Sequence, residues 1–333
     1  MTRDDYIQAS TRTRVLEKSL LTRAQYDQLI EAKDMDEVLR LLNETVYGPY
    51  FSKADSPQSY DEAVDQALKD FYRDMRWMAP DKELVDIFLL KYRVHNHKVF
   101  IKELLLGEDQ SDVYMDIDDS DFLERKETLM LMDEQLRERE FPAYFAKALA
   151  AFDKTKDAQF VDIYADAAYF EKMLEYAKKL DVPMITEYVR DLIDFTNLKT
   201  LFRMRRQMRN ATLVDDALID GGNLAKNEIS RRFFDSVEDI VAELKLKKVG
   251  SALEKGFEAY ETNHKLASFE KYFENHSMER LKDAKMINYG PEVLFAFMLA
   301  KETEIKNLRL ILVSKLNNLP PEKIRERLRG TYV

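Results

Sequence analysis

The amino-acid sequence predicts an all-α protein of three related helical domains, and three observations carry that prediction. Glycine and proline are scarce, apolar residues recur at helical spacing, and one short motif appears three times at nearly even intervals. The 333 residues include only eight glycines and eight prolines, where average usage would give about 23 and about 17. Sheets need such residues at frequent turns, so sandwiches, barrels and propellers are disfavoured, as is a glycine-cradled nucleotide site. Hydrophobic residues make up 45% and charged residues 34%, a balance that suits a folded chain.

The elements follow in chain order. Near the N-terminus Leu29, Val38, Leu39, Leu41 and Leu42 lead into Tyr47-Gly48. Ala63, Val64, Ala67, Leu68 and Phe71 place a helix over Tyr60 to Trp77, because residues three and four apart share one helix face. A longer helix is expected from Pro80 to Leu106, with Gly107 as the residue that ends it. A polar stretch from Gly107 to Asp121 separates this first third from the next. Ala167, Ala168, Phe170, Met173, Leu174 and Ala177 mark a helix over Tyr164 to Leu180, and Pro183 opens another.

A second polar break runs from Asn210 to Asn223 and contains Gly221-Gly222. Beyond it, Val237, Ile240 and Val249-Gly250 echo Met35, Val38 and Tyr47-Gly48 at an offset of 202 residues. The last long helix is expected from Pro291 to Leu316, stopped by Asn317-Asn318-Leu319-Pro320-Pro321. About 26 residues of helix span about 39 Å.

The repeated motif is Asn, any residue, Lys or Arg, any residue, then two large apolar residues. It occurs at Asn96-x-Lys98, Asn197-x-Lys199 and Asn307-x-Arg309, 101 and 110 residues apart. Asn263-His-Lys265 fails the apolar condition, being followed by Leu266, Ala267 and Ser268. Pro80, Pro183 and Pro291 precede the three motifs by 16, 14 and 16 residues. Proline favours the first helical position, where its missing N–H has no partner to lose. The expected domains are residues 1–112, 113–213 and 214–333. A buried Asn on a helix must satisfy its amide, commonly on a neighbouring loop. Asn96, Asn197 and Asn307 are therefore read as structural pins, with Lys98, Lys199 and Arg309 snorkelling or pairing with acids such as Asp194 or Glu304.

Composition and motifs exclude much chemistry. Cysteine is absent, so disulfides and thiolate sites are ruled out. P-loop, dinucleotide, zincin and nucleophile-elbow signatures do not occur. His95 and His97 are two residues apart, on different sides of a helix, and His264 and His276 have no ligand-spaced neighbour. The acidic run Asp116 to Asp121 has Asp121 where a calcium loop needs glycine, and reads as a solvated loop. Neither a cofactor nor a metal is expected. The net charge of −10 gives no overall attraction for nucleic acid. No secretory leader is visible, and the longest apolar run, Val293 to Ala300, is far short of a bilayer span. The basic run Arg203, Arg205, Arg206 and Arg209 reads either as the solvated C-terminal end of the second long helix or as a docking face for an acidic protein.

Taken together, these residues resemble the C subunit of the bacterial and archaeal V/A-type rotary ATPases, equivalent to the d subunit of the eukaryotic enzyme. The resemblance runs end to end. It includes Thr11 to Leu21 with Arg12 and Arg14, Leu39 to Gly48 ending in Thr45-Val46-Tyr47-Gly48, and Asp194-Phe-Thr-Asn-Leu-Lys199. It continues through Lys301 to Arg309 and the closing Pro320 to Leu328 and Tyr332-Val333. The first motif departs from the pattern: Arg93 stands three residues before Asn96, where the other copies have Asp194 and Glu304.

The resemblance implies a pseudo-threefold helical funnel without catalytic activity of its own. It implies a socket on the cytoplasmic face of the membrane proteolipid ring that receives D- and F-type shaft subunits. Rotation would then pass from ATP turnover in the soluble head to H⁺ or Na⁺ transport. Arg203, Arg205, Arg206 and Arg209 are the candidate partner-docking residues. A helical scaffold binding partner helices outside any rotary ATPase is the alternative. An all-α enzyme using the carboxylates of Asp116 to Asp121 with a divalent metal is a more distant one.

Overall fold

The computed structural model describes residues 1–52, 54–118, 121–133, 142–206, 214–263 and 265–332. Among them every regular element is helical. The α-helices are α1 (Ile7–Leu16), α2 (Arg23–Glu31), α3 (Met35–Asn43), α4 (Gly48–Phe51), α5 (Pro57–Met78) and α6 (Glu83–Leu106). They continue with α7 (Phe122–Leu131), α8 (Ala143–Thr155), α9 (Gln159–Leu180), α10 (Pro183–Arg206), α11 (Val214–Ala217) and α12 (Lys226–Ser230). The last are α13 (Val237–Leu244), α14 (Gly250–Asn263), α15 (Ala267–Leu281), α16 (Pro291–Leu316) and α17 (Pro321–Arg327).

Local sequence explains where these helices start and stop. Pro183 and Pro291 open α10 and α16 as expected, and Gly107, at φ +66°, follows the end of α6. Pro80 is a correction, since α6 begins only at Glu83. The intervening residues form a turn: the Asp81 carboxylate accepts from the Tyr6 hydroxyl at 2.8 Å, and Lys82 caps the C-terminal carbonyls of Arg76 and Ala79. These bonds hold Pro80 outside the helix.

The echo at an offset of 202 residues is structural. Asp34 accepts from the Glu37 N–H at 2.9 Å, and Ser236 accepts from the Asp239 N–H at 3.0 Å, so α3 and α13 are capped alike. Each short helix ends in a tight turn that leads to a glycine. A Cβ on Gly48 would stand 2.6 Å from the Asn43 carbonyl oxygen, and one on Gly250 would stand 2.0 Å from that of Lys245. Both clashes are with backbone five residues earlier, so only glycine lets the chain turn there.

The chain divides into two compact units. One comprises Met1–Val85, Val182–Tyr188 and Ser236–Val333, and the other Asp86–Asp181 and Val189–Asp235. In the first, α16 is the central element, with 18 of its 26 residues buried. A helix apolar on most of its circumference has to be surrounded, and α1, α3, α5, α15 and α17 pack around it. Phe297 meets Phe71 edge-on at 5.5 Å between ring centres. Arg14 donates to the Ala284 and Ile287 carbonyls at 2.6 Å each, fastening α1 to the segment before α16. In the second unit, Phe100 of α6 packs against Phe122 and Phe145. Buried Val161, Ala165, Ile193, Leu198 and Leu201 extend that core. No helix among the described residues is long and apolar enough to cross a membrane.

Candidate functional site

The three motif asparagines sit just past the middle of α6, α10 and α16, and each makes the same pair of hydrogen bonds. The Asn96 side-chain oxygen accepts from the Met115 N–H at 2.8 Å, and its Nδ2 donates to the Met115 carbonyl at 2.9 Å. Asn197 does the same with Ile219, at 2.8 Å in both directions. Asn307 does so with Arg329, at 2.9 and 3.1 Å. A side-chain amide presents one acceptor and one donor in a plane, as a peptide group does, so it can pair with both polar groups of one residue. The clamped residue lies 19, 22 and 22 positions downstream in irregular backbone, with the short helices α11 and α17 intervening in the second and third copies. Asn197 and Asn307 have no exposed surface, and Asn96 is buried too.

The residue three positions before each asparagine also grips a loop. In the second copy Asp194 accepts from the Asn223 and Leu224 N–H groups at 3.1 and 3.0 Å. Gly222 makes this approach possible, since a Cβ there would stand 2.1 Å from an Asp194 oxygen. In the third copy Glu304 accepts from the Leu21 N–H, from the Tyr47 hydroxyl at 2.6 Å and from Lys301 at 2.8 Å. The Lys301 ammonium also lies over the Tyr47 ring, 4.3 Å from its centre. In the first copy the polarity is reversed. Arg93 reaches from the helix to the buried Asp118 carboxylate of the loop and to Asp86 at 2.9 Å. There the helix supplies a cation and the loop the carboxylate, whereas in the other copies a helix carboxylate takes loop N–H groups.

Lys98 and Arg309, two positions after the first and third asparagines, pair with acids other than Asp194 and Glu304. Those carboxylates already hold loop groups. Lys98 pairs with Asp166 and lies 3.8 Å from Asp162, while Lys102 holds Asp162 at 2.9 Å. Arg309 pairs with Asp65, and with Asp61 at 3.3 Å. Asp65 and Asp61 precede Asn96 by 31 and 35 residues, and Asp166 and Asp162 precede Asn197 by the same 31 and 35. At the matching distances before Asn307 stand His276 and Tyr272. Sequence reading missed these aspartates, although an Asp-x-x-x-Asp at fixed distance before two motifs was the available signal. Lys199 is half-buried on α10.

Arg203 and Arg206 are exposed in the last turn of α10 and Arg205 is half-buried, while Arg209 lies outside the described residues. Of the acidic run, Asp118 is engaged by Arg93, and Asp119 also lies outside the described residues. His95 Nε2 donates to the Val113 carbonyl at 2.9 Å, and His97 contacts the Tyr144 hydroxyl at 2.7 Å. Burial and the neighbouring Arg93 push the His97 imidazole down to about 4. It is therefore neutral at pH 7, as a core group should be.

Long buried helices, side-chain clamps on downstream loops and charge pairs within the units define an all-helical protein built on repeated helix-to-loop clamps. The chain belongs to the ATP synthase (C/AC39) subunit family, which it matches over residues 9–327. It is similar to the C subunit of the V-type sodium ATPase of Enterococcus hirae, 23% identical over 336 residues, covering 98% of this chain and 99% of that protein. It is similar to the C subunit of the A-type ATP synthase of Methanocaldococcus jannaschii, 25% identical over 346 residues, covering 97% and 86%. The corresponding protein of Pyrococcus abyssi is 27% identical over 338 residues, covering 96% and 89%.

Two predictions concern the second clamp. Asn197→Ala leaves the buried N–H and carbonyl of Ile219 without their partner, which costs about 1–3 kcal/mol. The urea midpoint is expected to fall, and an unchanged midpoint and slope would contradict the clamp's role. Asp194 supplies a pH signature. Burial, opposed by hydrogen bonds from Leu224 and Asn223 and reinforced by Asp191, pushes its carboxyl from 3.8 up to about 6. A raised acid favours the folded state when protonated, so stability is expected to fall as pH rises from about 4 to about 6, and to level off above. Asp194→Asn should remove a difference of about 2–3 kcal/mol across that window. Parallel stability–pH curves for variant and parent would refute the assignment.

Proposed function

We propose that the chain is a non-catalytic coupling subunit in the central stalk of a V/A-type rotary ATPase. In this reading it is a socket that joins D- and F-type shaft subunits to the membrane proteolipid ring on the cytoplasmic side. It transmits rotation between ATP hydrolysis or synthesis in the head and H⁺ or Na⁺ transport in the ring. The observation that carries the reading is family membership over residues 9–327. The V-type and A-type ATPase names of its relatives support it.

The repeated clamps support a triplicated architecture with domains at 1–112, 113–213 and 214–333, arranged with pseudo-threefold symmetry as a funnel. So does the order of the ion pairs. The base of the first motif reaches aspartates placed 31 and 35 residues before the second Asn, and the base of the third reaches those at the same distances before the first. Each link joins one repeat to the next in a head-to-tail sense, and such links close when the rotation does.

A torque adaptor needs stiffness, and α16 with its buried circumference supplies it. Asn96, Lys98, Asn197, Lys199, Asn307 and Arg309 are pins within this frame. Arg203, Arg205, Arg206 and Arg209 are the candidate partner-docking residues of an acidic protein, where charge complementarity sets orientation and association rate.

Membranes lacking this chain should keep ATP hydrolysis by the soluble head and lose ATP-driven ion transport. Restoration of transport on adding the chain back would complete the test. Normal transport in its absence would refute the coupling role.

A further inference from the structure

The unit comprising Met1–Val85, Val182–Tyr188 and Ser236–Val333 contains a cleft of about 540 Å³ beside the loop that Asn307 clamps. Arg23, Lys271, Lys282, Arg325 and Arg329 line it, with Asp27 as the single carboxylate. Five cations around one small cleft stand out in a chain with a net charge of −10.

The other unit has a cleft of about 720 Å³ beside the loop clamped by Asn197, and its lining is acidic: Glu171, Glu175, Asp216 and Asp220 outnumber Lys178 and Lys226. A clamped loop therefore does not impose a basic lining. The positive charge belongs to the third copy.

Several of these cations are held in place from outside the cleft. Arg329 donates through Nε to Glu274 at 2.7 Å, Lys282 pairs with Glu279 at 2.8 Å, and Arg325 pairs with Glu31 while its Nε lies 3.8 Å from the cleft carboxylate Asp27. These contacts orient each guanidinium or ammonium without using all of its N–H donors. Arg23 makes no side-chain bond among the described residues and is exposed at the rim. Burial and the nearby Arg329, opposed by Glu326, push the Lys271 ammonium below its ordinary value, and its Nζ donates to the Glu326 carbonyl.

We propose that this cleft binds a phosphate-bearing anion carrying two or more phosphate charges. Arginine forks and lysine ammonium groups match phosphate oxygens, and charge-assisted bonds of this type are stronger than neutral ones. The volume falls within the range of small-molecule sites, about 300–1,000 Å³. The phosphate could come from a soluble compound or from a lipid headgroup, and the chemistry recognised is the same.

The test titrates the full chain calorimetrically with tripolyphosphate and, separately, sediments it with phosphatidylcholine vesicles containing phosphatidic acid. Arg23→Gln/Lys271→Gln should weaken binding about tenfold or more, which corresponds to about 1.4 kcal/mol. The charge-matched control Lys18→Gln/Lys245→Gln, at exposed sites away from the cleft lining, should change it less than about twofold. Arg23→Gln alone, which removes no bond among the described residues, should weaken binding about threefold and keeps the test independent of folding. That pattern with tripolyphosphate identifies a soluble ligand, and the pattern with vesicles alone identifies a lipid headgroup. Absence of saturable binding in both arms, or equal losses in the two double variants, would overturn the proposal. These outcomes are independent of whether the chain couples rotation.

Discussion

The structure depends on one interaction used three times: a buried asparagine amide that pairs with both the N–H and the carbonyl of a single downstream residue. A long helix can bury its own backbone because its hydrogen bonds are internal. The irregular segment that follows has no such ladder, and its polar groups must find partners when it lies against the helix. The amide of Asn197 supplies both at Ile219, and a carboxylate one turn earlier takes two further N–H groups. Helix and loop are thereby fixed in one register. Removing either hydrogen-bonding partner leaves the other desolvated, which makes the arrangement cooperative.

The three copies show which parts of that device tolerate change. The asparagine and the pair of bonds are constant, while the charge beside them varies. Asp194 holds backbone, Glu304 holds backbone together with Tyr47 and Lys301, and Arg93 holds an acid on the loop. Geometry requires a planar amide at the clamp. The neighbouring position needs only a strong polar partner of either sign, because its complement can sit on the facing segment. The same freedom extends to the clefts beside the second and third clamps, one lined mainly by carboxylates and the other by cations.

Much of this was legible in the sequence for a physical reason. Helical periodicity and proline placement report local structure, so α10 and α16 begin where Pro183 and Pro291 stand, and α16 ends at Leu316. Pro80 misled because proline marks turns as readily as helix starts, and the bonds of Asp81 and Lys82 settle which. The asparagines stood out as buried polar residues needing partners. Their partners did not, because Met115, Ile219 and Arg329 contribute only backbone, and backbone carries no sequence signal. The aspartates that hold Lys98 and Arg309 were missed because ion pairs spanning 68 and 244 residues leave only a distant signal, an Asp-x-x-x-Asp 31 to 35 residues before two of the motifs.

The most direct test of these clamps is amide hydrogen exchange at three positions, Met115, Ile219 and Arg329, in the isolated chain. Each lies in an irregular segment whose neighbours should exchange readily, and each N–H is enclosed by an asparagine oxygen at 2.8–2.9 Å. All three should exchange as slowly as amides inside the long helices, because opening them requires the loop to leave the helix. Exchange at the rate of ordinary surface loops would contradict the claim that these clamps hold the structure together.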